Sequence, residues 1–240
     1  MAAEIKAYAR PRQLYRYRSL VGLNPNKFRQ ELDAITGAYV YCPSYASMND
    51  PMEGSHRESA LLKESQKYDQ TIQEVRLAID TLGIASFSET MDHEPMWAHY
   101  AQNFSGICVE YNVKRLLDSL PDQHEFVRMT YNELAPMLYR DRETAENRAK
   151  MILSCKSVRW ASEREWRLIR PAIGPAPYKA HRIVTSVLLG SRISPEHEEI
   201  IREELGKLKI PVRKMKVDTY AIAFEAKKKK ITLKRPARKG

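Results

Sequence analysis

Short runs rich in β-branched and aromatic residues recur along the whole chain, and the helix-period segments between them are too few to alternate with them. Strand-like runs fall at 14–17, 38–42, 84–88, 107–111, 165–169, 183–189 and 211–224. Helical spacing covers 26–35, 57–82, 95–102, 132–153 and 195–205. Strict βαβ alternation would need a helix in every gap. The pattern therefore predicts an α+β chain, a single domain with a mixed, mainly antiparallel sheet and flanking helices, and not a doubly wound one. Local signals bound the helices: Gly37 after the first, Gly83 after the second, and Pro136 tolerated in the first turn of the fourth. Ser194, Pro195 and Glu196 open the last, and Gly206 closes it.

At 240 residues one core is sufficient without staples, because a chain of this size buries roughly 70–75% of its unfolded surface. The three cysteines, Cys42, Cys108 and Cys155, are far apart and follow no ligand spacing. They point to a reducing, cytoplasmic setting with no structural metal. The first residues contain no apolar run of signal-peptide type, and no segment approaches the ~18 apolar residues of a membrane span.

The net charge of +10 is concentrated at one end. Residues 227–240 carry eight Lys or Arg and no acid, and without them the chain holds 32 basic residues against 30 acidic. The expected organisation is a domain over 1–225 and a basic, disordered tail over 226–240. In that tail Lys227, Lys228, Lys229, Lys230, Lys234 and Arg235 are candidate phosphate contacts for a nucleic-acid partner.

Four stretches place polar and aromatic residues where a plain core would be aliphatic. In Tyr15-Arg16-Tyr17-Arg18 an arginine fork beside aromatic rings suits an anion, or the arginine simply snorkels from a sheet edge. The stretch from Ser47 to Glu53 reads as a turn in which Asn49 and Asp50 bond local backbone before Pro51. Asp50 could also position Arg16, and Glu53 supports the turn. In Met96-Trp97-Ala98-His99-Tyr100, helical spacing sets Trp97 and Tyr100 on one face, a stacking wall or ordinary core, and turns His99 elsewhere. In Trp160 through Arg167, strand alternation aligns Glu163, Glu165 and Arg167 on one face. Two adjacent carboxylates would there raise each other's proton affinity, or be neutralised by Arg167.

In this order the stretches resemble the domain-of-unknown-function 2971 family. The resemblance rests on Tyr15-Arg16-Tyr17, Asn49-Asp50-Pro51-Met52-Glu53, Phe87-Ser88, Met96-Trp97-Ala98-His99-Tyr100, Gly106-Ile107-Cys108-Val109-Glu110, Trp160 through Arg167, and Leu189-Gly190. It spans about residues 12–225 and implies no activity. A looser resemblance is to the ADP-ribosyltransferase superfamily: Arg16 on an early strand, Ser86-Phe87-Ser88 in the middle, and Glu163-Arg164-Glu165 at the lip of a late strand. It implies NAD as cofactor, with Arg16 on the pyrophosphate, Tyr17 beside it, and Ser86 or Ser88 bracing the site. Glu165 would hold the nicotinamide ribose, Glu163 would orient an acceptor, and Trp97 or Tyr100 would stack on nicotinamide. Enzymes of this kind include bacterial toxins and phage-defence effectors. Phe87 in the middle of the serine strand, and the structured residues after Glu165, depart from that pattern.

Two other readings stand beside it. One is a nucleic-acid-associated binding module that uses the basic tail. The other is a phosphodiester or glycosidic hydrolase using His99 with Asp50 or Glu165. The sequence has no P-loop, dinucleotide-fold glycine fingerprint, nucleophile elbow or zinc signature.

Overall fold

A computed structural model describes residues 4–5 and 10–226. Its centre is a nine-stranded sheet. In chain order the strands are β1 (Glu4–Ile5), β2 (Gln13–Arg18), β3 (Gly83–Ser88), β4 (Ile107–Asn112), β5 (Glu125–Arg128), β6 (Glu165–Arg170), β7 (Val184–Leu189), β8 (Val212–Asp218) and β9 (Ala221–Phe224). The spatial order is β1-β5-β6-β3-β2-β4-β7-β8-β9. Only β1–β5 and β7–β8 are parallel, so the sheet is mixed and mainly antiparallel, as the sequence pattern predicts.

One junction in this sheet differs from the rest. Strand β6 pairs with β3 over six positions and β2 with β4 over six, but β2 meets β3 at Tyr15↔Ser88 alone. Beyond that rung the two strands diverge. The sheet therefore consists of two half-sheets hinged at one point, with a wedge-shaped gap between them.

The faces are covered by separate apolar clusters. Leu14, Phe87, Val109, Trp166 and Leu168 point to one face, where the helices Lys27–Thr36 and Pro195–Lys207 contribute Leu32, Ile35, Ile201 and Leu205. On the other face the half-sheets are covered differently. Ile84, Val127 and Ile169 meet Ile72, Val75 and Ile79 of the helix Tyr68–Thr81, whereas Tyr15, Tyr17, Cys108 and Leu188 meet Met96 and Trp97 of the helix Glu94–Tyr100.

Several sequence expectations change. The helix expected over 57–82 divides into a short strand, Arg57–Glu58, a single turn Ala60–Lys63 started by Ser59, and the helix Tyr68–Thr81. Ser59 accepts a bond from the Leu62 amide, so a polar cap interrupts the apolar period. Gly83 is the first residue of β3 and not a helix end. The helix expected over 132–153 is confined to Ala145–Ile152, capped by Thr144. Before it, Thr130–Asn132 and Met137–Leu138 are extended, and Pro136 lends its carbonyl to the Arg57 amide. The last helix starts at Ser194 as expected but runs through Gly206 to Lys207. The single strand over 211–224 is the hairpin β8–β9. Strands β1 and β5 carry too little pattern of their own to have been predicted.

Candidate functional site

A cavity of about 360 Å³ fills the gap between the half-sheets, within the size range of small-molecule sites. Strand β2 contributes Tyr15, Arg16, Tyr17 and Arg18 to its wall. Strand β3 contributes Ile84, Ser86 and Phe87, and Glu165 and Arg167 come from β6. The helix Glu94–Tyr100 contributes Met96, His99 and Tyr100, and the turn before Glu53 contributes Ser47, Met48 and Asn49.

The floor is a buried charge network. Arg167 is fully sealed and donates two bonds to Glu53, at 2.8 and 2.6 Å, and one from Nε to Glu165 at 2.7 Å. Lys156 Nζ lies 2.7 Å from Glu163 and 3.3 Å from Glu165, with Glu53 at 3.7 Å and the Trp160 ring centroid at 4.8 Å. Tyr100 donates its hydroxyl to Glu163 at 2.7 Å. Three carboxylates thus face one ammonium and one guanidinium, a formal charge of −1 in a sealed floor.

The environment fixes protonation at several of these groups. Burial works against the charged form of Glu165, but Arg167 and Lys156 override it and hold the carboxyl down at about 2. Burial pulls Lys156 down, and Glu165 and Glu163 more than reverse it, so the amine is raised. Burial raises Tyr100 strongly, and the Glu163 charge adds to this, so its phenol stays a hydrogen-bond donor.

The opposite end of the cavity is basic. Arg16, Arg18 and Lys27 line it, against Glu31 as the nearby acid. Arg18 and Lys27 are both paired with Glu31, at 2.5 Å each. Arg16 has no carboxylate partner among the described residues. Its guanidinium donates to the Tyr41 carbonyl at 2.7 Å and lies 5.8 Å above the Phe87 ring.

The sequence candidates are distributed as follows. Glu163, Glu165, Ser86, Tyr17, Arg16, Tyr100, His99, Asn49, Glu53 and Arg167 all line the cavity. Arg16 reaches it differently from Glu165, because register puts Arg16 on the Phe87 face and Glu165 on the Ser88 face. Both border the gap where β2 and β3 splay. Glu163 is not on the strand: it ends a 3₁₀ turn, and Arg164 follows in the left-handed region. Ser88 lies beneath the cavity and not on its wall, donating to the Glu163 carbonyl at 2.7 Å.

Three expectations are corrected. Trp97 is fully buried, with its ring against Tyr17, Phe104 and Phe224 and its Nε1 bonded to the Met91 carbonyl, so it cannot stack on a ligand in the cavity. The cavity-facing stripe of that helix is Met96, His99 and Tyr100, spaced i, i+3 and i+4. Asp50 accepts from the Met52 amide at 2.9 Å and is absent from the cavity wall. It therefore neither positions Arg16 nor partners His99, and the ion pair delivered by this turn is Glu53 to Arg167. Lys156 was missed altogether. It sits in Cys-Lys-Ser, which matches no motif, and it joins the acids through the pairing of Cys155–Ser157 with Thr130–Asn132.

The tail lysines and arginines, Lys227 to Lys230, Lys234 and Arg235, lie outside the described residues. Among the described residues no group of three or more His, Cys, Asp or Glu could hold a metal ion, and no helix is long and apolar enough to cross a membrane.

Residues 96–168 match the family model described as "Protein of unknown function (DUF2971)". The match takes in the helix with Met96, His99 and Tyr100, the strand β4, and the segment from Lys156 through Arg167, which is one wall and most of the floor of the cavity. No curated protein and no solved structure matches the chain.

Proposed function

We propose that the chain is an ADP-ribosyltransferase-like enzyme that binds NAD in the gap between the half-sheets and breaks its nicotinamide–ribose bond. One observation carries the reading. Arg16, Ser86 and Glu165 stand on three neighbouring strands, β2, β3 and β6, and all three line the same cavity. The electrostatics support it, since NAD pairs an anionic pyrophosphate with a cationic nicotinamide ring. The cavity pairs a basic end around Arg16 with a floor of formal charge −1.

In this reading Arg16 faces the pyrophosphate and the floor receives the nicotinamide riboside. Glu165, ionised and already oriented by Arg167, accepts a hydrogen bond from a ribose hydroxyl. The bond from C1′ to the ring nitrogen breaks with its electron pair going to that nitrogen, which releases neutral nicotinamide. The positive charge left on C1′ is stabilised by the Glu165 carboxylate. The acceptor, water or a nucleophile oriented by Glu163, then forms the new bond at C1′, and its proton passes to solvent.

Nicotinamide release from NAD by the purified protein tests the reading, with and without added RNA, DNA or cell lysate. Release is expected to fall by at least about a hundredfold in Glu165→Gln, the scale for removal of one preorganised electrostatic group. Arg16→Gln is expected to raise KM more than it lowers kcat. Absence of release under every condition from a folded protein would rule the reading out.

A further inference from the structure

Lys156 lines the cavity and takes no part in the bond-breaking steps above. Its side chain is 5% exposed, a place where an ammonium is stable only with partners. The strand Cys155–Ser157 runs parallel to Thr130–Asn132, with Lys156 opposite Tyr131. The Tyr131 hydroxyl accepts the Glu165 amide at 2.8 Å, and Lys156 donates to the Glu165 carboxylate. One pair of opposed residues thus holds the start of β6 by both its backbone and its side chain. The Trp160 ring lies against the ammonium, its centroid 4.8 Å away.

The ammonium bridges one oxygen of each glutamate, Glu163 Oε2 at 2.7 Å and Glu165 Oε2 at 3.3 Å. Their other oxygens have donors of their own: Tyr100 on Glu163 Oε1 and Arg167 on Glu165 Oε1, both at 2.7 Å. Both carboxylates are therefore fixed in rotation. The third, Glu53, lies 3.7 Å from Nζ and is committed to Arg167. Without Lys156 the three carboxylates would face Arg167 alone, a formal charge of −2 in place of −1. Carboxylates packed this closely in a buried site share a proton instead of all ionising. Burial pushes the phenols of Tyr100 and Tyr131 up, so both are already protonated and the added proton would go to a carboxylate. We propose that Lys156 is the positioning residue of this site: it holds Glu163 and Glu165 ionised side by side, so that one can face C1′ while the other orients the acceptor. That use of the pair rests on the transferase reading, but the ionisation of the pair does not.

Urea unfolding of the full chain and of Lys156→Met, in steps from about pH 7 to about pH 5, tests the proposal. Methionine keeps most of the volume and removes the charge. The carboxyl that takes up a proton in the variant has a folded pKa above its unfolded value, so its stability is present in acid and lost as pH rises through the folded pKa. The gap in unfolding constant between parent and variant is expected to narrow toward acid by up to about tenfold per pH unit, the slope of one proton. Adding Glu163→Gln to Lys156→Met removes the crowded anion and is expected to abolish that slope. A gap independent of pH would mean that Lys156 only fills space, and would overturn the proposal. A variant unfolded at about pH 7 is expected to refold near pH 5, and failure to refold there would count the same way. In nicotinamide release, kcat of Lys156→Met is expected to fall about tenfold near pH 6 and to recover toward pH 8, with KM for NAD changed less than about twofold. Release equal to the parent's at every pH would overturn the role of Lys156 and leave the transferase. A pH-dependent gap in a protein that releases no nicotinamide would leave Lys156 standing and remove the transferase.

Discussion

Arg167 and Glu53 form a two-bond ion pair, at 2.8 and 2.6 Å, with both side chains sealed from solvent. The pair ties the turn that carries Ser47, Met48 and Asn49 to the centre of β6, and so fixes one wall of the cavity. Removing one partner of a buried pair leaves a charge that the surroundings cannot solvate. Glu53→Leu is expected to lower unfolding free energy by about 3–5 kcal/mol in a urea titration. A loss under about 1 kcal/mol would mean that Glu165 and the Leu153 carbonyl suffice for Arg167.

Glu31 and Glu165 make stability depend on acid. Burial opposes ionisation of both, but Arg18 and Lys27 at Glu31, and Arg167 and Lys156 at Glu165, hold each carboxyl down at about 2. The unfolded value is about 4.3. The folded pKa is the lower one, so this stability is fully present above about pH 5 and lost as pH falls toward 2. Unfolding free energy measured down this range is expected to fall less steeply in Glu31→Gln than in the parent. Parallel slopes would show that Glu31 is not held down by its partners.

Arg164 holds φ of +45° between the two cavity glutamates. The left-handed conformation costs a side-chain-bearing residue about 1–2 kcal/mol, which glycine avoids in exchange for greater chain entropy when unfolded. Arg164→Gly is expected to raise the thermal midpoint, by up to about 1 kcal/mol of stability. A lowered midpoint would show that the Arg164 side chain contributes more than its backbone costs.

The thiols should differ in accessibility. Cys42 and Cys108 are fully buried; burial pushes Cys42 up to about 11 and raises Cys108 well beyond the usual range. Cys155 is partly exposed and raised by burial, with Arg167 pulling it back. Alkylation of the native protein at pH 8, followed by mass spectrometry, is expected to mark Cys155 first and the other two only after denaturant is added. Equal rates at all three would contradict the burial of Cys42 and Cys108.

The sequence by itself determined the class of fold, most strand positions and the four stretches from which much of the cavity wall is drawn. These are local properties: period-two apolar runs, the Ser194 cap, and rare polar–aromatic clusters such as Tyr15–Arg18 and Trp160–Arg167. It did not determine which way those residues face. Trp97 and Tyr100 share a helix, yet one is core and the other cavity, because strand β2 presents Tyr17 to one and the 3₁₀ turn before β6 presents Glu163 to the other. Arg16 and Glu165 lie on opposite faces of the sheet by register, yet both line the cavity at the gap where β2 and β3 share the single rung Tyr15↔Ser88. Lys156 and Glu53 enter the floor through contacts 7 to 114 residues apart in sequence. Local patterns decide secondary structure through backbone geometry and burial. Convergence on a site depends on strand order and splay, which no short stretch of sequence encodes.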